Sequence, residues 1–222
     1  MNVDLASQAS IRNFAERLRS AHPRLDVLIN DAGVYLPKRE TTADGIDGCF
    51  AVNVLAYHML VRELVEPLAK AAPSRVINVA SDFAGDPDLD DLQFERRHYD
   101  GLRAYRQSKA CDRLLTWAWA RRLESRGITV NAVAPGLVIT NLYRHTSFVL
   151  HAFMRLLARR IGHTVEEGAD TIIWLASTDE VEGITGKFFD RRKAKPCQFA
   201  NPADEERLFE ICEQLTSGSR TS

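Results

Sequence analysis

The sequence has little that would mark an unusual environment or a charged partner. Only four cysteines occur in 222 residues, Cys49, Cys111, Cys197 and Cys212. No two stand at metal-ligand spacing, which excludes a zinc module or a disulfide framework and reads as free thiols in a reducing compartment. Charge is nearly cancelled, with 29 basic against 30 acidic residues, so no field gathers nucleic acid or another charged polymer. Lysine is sparse, six against 29 basic residues in all. No apolar run reaches the ~18 residues of a membrane span, and no signal peptide opens the chain. Repeats, low-complexity tracts and long linkers are also missing. The expectation is one soluble, cytoplasmic domain over residues 1–222 with a sizeable core.

What is present is an alternation of helix and strand patterns. Residues 10–21 carry Ile11, Phe14, Ala15 and Leu18 at helical spacing behind a serine cap. Residues 25–30 (LDVLIN) are a short apolar run, the pattern of a strand covered on both faces. Helical patterns follow at 45–71, 102–126, 165–177 and 203–215, the last of them polar. Strand patterns follow at 75–80 (RVINVA), 128–134 (ITVNAVA) and 187–189. This order predicts an α/β fold: a doubly wound, Rossmann-like parallel sheet with right-handed crossovers and helices on both faces.

Two stretches do not read as plain scaffold. Residues 82–101 are polar and hold Asp86, Asp88, Asp90 and Asp91. The spacing is not that of a calcium loop, and a solvated active-site rim is expected rather than a metal site. Residues 137–163 include FVLHAFMRLLARRI, with Arg155, Arg159 and Arg160 beside Phe153, Met154, Leu156 and Leu157. Their place after the carboxyl end of a strand favours a substrate lid. A membrane-surface helix and a core helix are the alternatives.

The chemistry centres on Tyr105 and Lys109, one helical turn apart. A free phenol titrates near pH 10, and an adjacent ammonium favours phenolate, bringing a proton acceptor toward the working pH. The spacing alone is weak, since five Tyr and six Lys produce it by chance in about one sequence in seven. Position strengthens it. Ser81 ends the RVINVA strand, where a hydroxyl can donate to the same oxygen that Tyr105 touches; alone it reads equally as a turn residue or cap. Asn53 is a buried amide in a helix and needs partners, either in a relay or in a structural role. Asn30-Asp31-Ala32-Gly33 ends LDVLIN with small residues that let a ligand approach the backbone. Pro135-Gly136, then Val138 and Thr140, turn the chain away after ITVNAVA.

In this order along the chain, the signals resemble the short-chain dehydrogenase/reductase family, and within it the retinol-dehydrogenase-like branch. The likeness runs from Asp4 to about Leu215. It implies catalytic roles for Asn53, Ser81, Tyr105 and Lys109. It also implies a nicotinamide cofactor, NAD or NADP, lined by Asp4 and Leu5 (adenine), by Asn30, Ala32 and Gly33, by Tyr105 and Lys109, and by Pro135, Gly136, Val138 and Thr140. A small apolar alcohol or carbonyl compound is the implied substrate. A homodimer through the helices after LDVLIN and RVINVA is the implied assembly. The segment Arg207-Leu208-Phe209-Glu210 resembles a terminal motif of the branch. Departures are Asp31 for a second Asn, and Ala80 for a Ser before Ser81. In the family, Asp4-Leu5 closes the third strand. The resemblance therefore implies an N-terminally truncated domain, lacking two strand-helix units, most of a third strand and the Gly-rich pyrophosphate turn. The expectation is that the isolated chain exposes LDVLIN as an apolar edge, aggregates and binds cofactor poorly.

Overall fold

Five strands form one sheet in the order β1 (Val27–Asn30), β2 (Ser74–Val79), β3 (Ile128–Ala134), β4 (Phe188–Asp190) and β5 (Lys193–Lys195). The computed structural model describes residues 1–136 and 164–217. Strands β1 to β4 pair in parallel, and β5 turns back antiparallel on β4. The helices are α1 (Gln8–Ala21), α2 (Gly48–Lys70), α3 (Gly101–Leu123), α4 (Val165–Ser177) and α5 (Pro202–Ser217).

Side-chain alternation along the strands divides the core. Val76 and Val130 face a large cluster built from α1, α2, α3 and α5, with Leu64, Leu68, Leu114, Leu115 and Leu208 buried in it. Ile77, Val79 and Val133 face the other side, against Leu175 of α4 and Phe189. Both faces are thus covered, and the fold is the doubly wound α/β arrangement that the sequence pattern implies.

The helix ends follow side-chain capping. Ser7 caps α1 by accepting from the Ser10 amide, so the helix starts two residues before the sequence estimate. Asp100 caps α3 by accepting from the amides of Leu102 and Arg103. Thr164 and Glu167 form a reciprocal capping box at α4.

Four expectations need correction. The run LDVLIN is not covered on both faces: only Val27–Asn30 is strand, it pairs with β2 alone among the described residues, and Ile29 is 43% exposed. The sheet is not wholly parallel. A tight turn at Arg191 and Arg192, with φ of 48° and 59°, makes a β4–β5 hairpin. Positive φ at both turn positions is usually signalled by Asn-Gly, and two arginines hid it. Asp170 grips the Arg192 guanidinium, and the Thr171 hydroxyl accepts from its amide. The last helix is not simply polar, since Leu208 and Cys212 lie in the core. Finally, Gly48–Lys70 is long and apolar enough to cross a membrane by length and composition; 78% of its apolar 18-residue window is buried, and here it is a core helix.

Candidate active site

Three parallel strands end on one side of the sheet, and their carboxyl ends supply the site. β2 leads through Ala80 to Ser81, β1 leads to residues 31–34, and β3 leads to Pro135 and Gly136. Gly136 has φ +76°, a conformation that glycine adopts without strain. Val138, Thr140 and the expected lid at 137–163 lie outside the described residues.

Helix α3 carries Tyr105 and Lys109 on the face turned to these strand ends. Tyr105 is buried at 8% exposure, and the Ser81 side chain at the end of β2 acts on its phenol. The Ser81 hydroxyl also accepts from the Phe83 amide at 3.0 Å, which fixes its rotamer. Lys109 Nζ donates to the Val79 carbonyl at 2.9 Å, at the end of β2, and to Asp112 Oδ2 at 2.9 Å. It also lies 5.5 Å from the Tyr57 ring centroid. An ammonium has three N–H bonds, so two of them are directed by the fold.

Asn53 sits in a π-helical turn, Ala51–Leu55, within α2. Such turns add one residue to a helix and re-aim a side chain, and they recur at functional sites. The fully buried Asn53 amide accepts from the Val34 N–H at 2.8 Å and donates to the Val34 carbonyl at 3.0 Å and to Ser108 Oγ at 2.9 Å. It therefore pins the loop after β1 against α3. A Cβ placed on Gly33 would sit 3.4 Å from Asn53 Oδ1 and 3.8 Å from Lys109 Nζ. Gly33 thus leaves a small space beside both catalytic candidates.

Asn30 starts a buried polar ladder. Its amide donates to Asn78 Oδ1 at 2.8 Å, Asn78 donates to Thr116 Oγ1 at 3.0 Å, and Thr116 donates to the Asp112 carbonyl at 2.7 Å. The Ala32 carbonyl accepts from the Tyr57 hydroxyl at 3.0 Å. Asp4 and Leu5 are not drawn into this cluster. Asp4 Oδ1 accepts from the Ala6 amide ahead of α1, and Leu5 packs on the main core.

The electrostatics correct one expectation. Burial raises the Tyr105 pKa above its ordinary value; Lys109 and the Ser81 side chain pull it down but do not win. Asp112, which the sequence reading missed, adds a smaller push in the same direction as burial, and its carboxylate is buried against Lys109. Burial works against the Lys109 charge, and Asp112 more than restores it, holding the ammonium pKa above its ordinary value. Burial pushes the Asp112 carboxyl up, to about 6, with Lys109 opposing. The signal was available: Asp112 stands three residues after Lys109, on the same helical face.

The acidic stretch 82–101 is likewise not a solvated rim throughout. Asp91 is buried; it accepts from the amides of Glu95, Arg96 and Arg97 and pairs with Arg97 Nε at 3.0 Å. Asp88 pairs with Arg97 and Asp90 with Arg207 of α5. These carboxylates staple the loop.

A family model described as enoyl-(acyl carrier protein) reductase matches residues 1–190. Human retinol dehydrogenase 13 is 38% identical over 98% of this chain. The chain belongs to the short-chain dehydrogenase/reductase family. Its likeness is to the retinol-dehydrogenase-like branch: human retinol dehydrogenase 14 is 41% identical over 84% of the chain. The chain spans 66% and 56% of the lengths of these two relatives. Among solved structures, a short-chain dehydrogenase from Burkholderia cenocepacia in complex with NADP superposes with a TM-score of 0.63 at 26% identity. That match covers 85% of this chain and 73% of the other. As a short-chain dehydrogenase/reductase, the chain has its Ser81, Tyr105 and Lys109 in one cluster, with Asn53 joined to it through Val34 and Ser108.

Proposed function

We propose that this chain is the catalytic part of a nicotinamide-dependent oxidoreductase that interconverts an apolar alcohol and its aldehyde or ketone. The carrying observation is the buried Tyr105, with Ser81 acting on it from the end of β2 and the Lys109 ammonium directed one helical turn away. The names of the relatives, retinol dehydrogenases, support an apolar alcohol, as does the Phe, Leu and Met content of residues 148–161. The NADP complex of a structural relative supports a nicotinamide cofactor, NAD or NADP.

The residues present fit the reactive end of such a cofactor. Gly33 leaves open a space next to Lys109 and Asn53 that a Cβ would occupy in ordinary contact with both. The remaining Lys109 N–H would hold a ribose hydroxyl, and the backbone at Pro135-Gly136 would hold the carboxamide side. When bound, the nicotinamide ring supplies the hydride acceptor or donor. In the oxidative direction Tyr105 Oη takes the proton of the substrate alcohol, and Ser81 Oγ holds the substrate oxygen in place. Lys109 keeps positive charge behind the phenol as phenolate forms. Asn53 holds the Val34 segment so that Tyr105 and the approaching substrate stay aligned. In reduction Tyr105 returns its proton to the forming alkoxide.

Tyr105→Phe keeps the ring and removes the proton. Turnover of a long-chain alcohol or aldehyde, followed by nicotinamide absorbance, should fall by about 10²- to 10⁴-fold. Circular dichroism should be unchanged. A retained rate in a folded Tyr105→Phe chain would refute the assignment.

A further inference from the structure

Lys109 is one of the most deeply placed cations in the fold, at 4% exposure, and Asp112 beside it is at 1%. Both come from α3, and their charged atoms are 2.9 Å apart. The second oxygen of Asp112, Oδ1, is buried without a hydrogen-bond partner. A carboxylate left half satisfied in a core is costly, so packing alone gives no reason for an acid here. The ladder from Asn30 through Asn78 to Thr116 ends on the backbone of Asp112 itself. That ladder anchors this turn of α3 to β1 and β2.

The groups that act on Tyr105 and on the pair are few. On α3 they are Lys109, Asp112 and Arg113; from the end of β2 there is the neutral Ser81; from α2 there are Cys49 and Tyr57, the latter with Asp31 acting on it; and from the loop after β1 there is Tyr35, its ring 6.4 Å from that of Tyr105. Of the charged groups, Lys109 is the largest pull toward phenolate. A lone ammonium acts as a point charge at Tyr105. An ammonium joined to a carboxylate acts as a dipole, whose field weakens faster with distance.

Taking the proposed oxidoreductase function as given, we infer that Asp112 is a positioning residue of this site. It holds the Lys109 ammonium against the Val79 carbonyl and offsets the charge that Lys109 presents to Tyr105. Ligand contacts are left to the remaining Lys109 N–H, while the pair sets how readily Tyr105 gives up its proton.

The test reads the ionisation of Tyr105 directly, on the 222-residue chain. Phenolate absorbance at about pH 10 is measured for each chain and for the same chain carrying Tyr105→Phe, and the difference isolates Tyr105. Asp112→Asn, which keeps the shape and removes the negative charge, should raise the phenolate-to-phenol ratio of Tyr105 about tenfold or more. The paired variant Lys109→Met with Asp112→Asn leaves no buried ion, and so folds even if Asp112→Asn alone does not. Its Tyr105 ratio should stay within about threefold of the parent, because a nearly neutral pair has been replaced by a neutral one. An unchanged ratio in a folded Asp112→Asn chain overturns the inference, and so does a tenfold or greater fall in the paired variant. The readout needs no turnover. Lack of nicotinamide-dependent turnover in the unaltered chain would therefore overturn the proposed function and leave the role of Asp112 to be decided by the phenolate ratios.

Discussion

A histidine far from Tyr105 shows how strongly burial governs single residues here. His58 is fully buried against Trp119 and Phe209, with ring centroids 5.3 and 5.1 Å away. Its Nε2 lies 2.8 Å from Glu213 Oε1 on α5, so the neutral ring donates there. Burial lowers the His58 pKa; the Glu213 hydrogen bond opposes this but does not win. The imidazole is therefore neutral in the fold, whereas in the unfolded chain it protonates below about 6.5. The unfolded state then binds more protons, and stability falls as pH drops below that value toward the lowered folded one. Melting temperatures measured from about pH 8 to pH 5 should show this decline. In His58→Gln the same interval should be flatter, at the cost of a lower melting temperature throughout. The same balance of burial against a partner operates at Tyr105, where burial wins, and at Lys109, where Asp112 wins.

At the level of elements, the site depends on how α3 begins. Gly101 is its first residue, and a Cβ there would lie 2.3 Å from the Leu36 carbonyl oxygen and 3.0 Å from the Pro37 Cα. These are backbone atoms and cannot swing aside as a side-chain tip does. The Tyr99 hydroxyl donates to the same Leu36 carbonyl at 3.1 Å. Gly101→Ala should therefore displace the start of α3 or the 36–37 loop and cost about 1–3 kcal/mol. The check is chemical denaturation, in which the midpoint should shift with little change in slope. Because Tyr105 follows one turn later, turnover should fall with it. The π turn in α2 belongs to this scale as well. It turns Asn53 to the Val34 backbone, and no periodicity in Val52-Asn53-Val54-Leu55 announces it.

For the whole molecule, the exposed edge at β1 matters most. Val27–Asn30 pairs on one side only among the described residues, and Ile29 is 43% exposed on it. An open apolar strand edge recruits other chains. Ile29→Lys should lower self-association of this chain, read by light scattering as a smaller mean mass at equal concentration, with the fold intact by circular dichroism. Equal scattering from both chains would place the association surface elsewhere. Much of this architecture was legible in the residues. Apolar spacing determined the alternation of helix and strand, because burial of one face imposes a period near 3.6 on helices and of two on strands. The order Asn53, Ser81, Tyr105, Lys109 pointed to the residues proposed as catalytic, since each falls at a strand end or on a helix between strands. Tertiary structure alone decided how deeply the Lys109–Asp112 pair is buried, that Asn53 grips Val34, and that two arginines make the β4–β5 turn. Those outcomes rest on which groups meet across elements and how much water remains between them, and a linear pattern of residue types does not specify either.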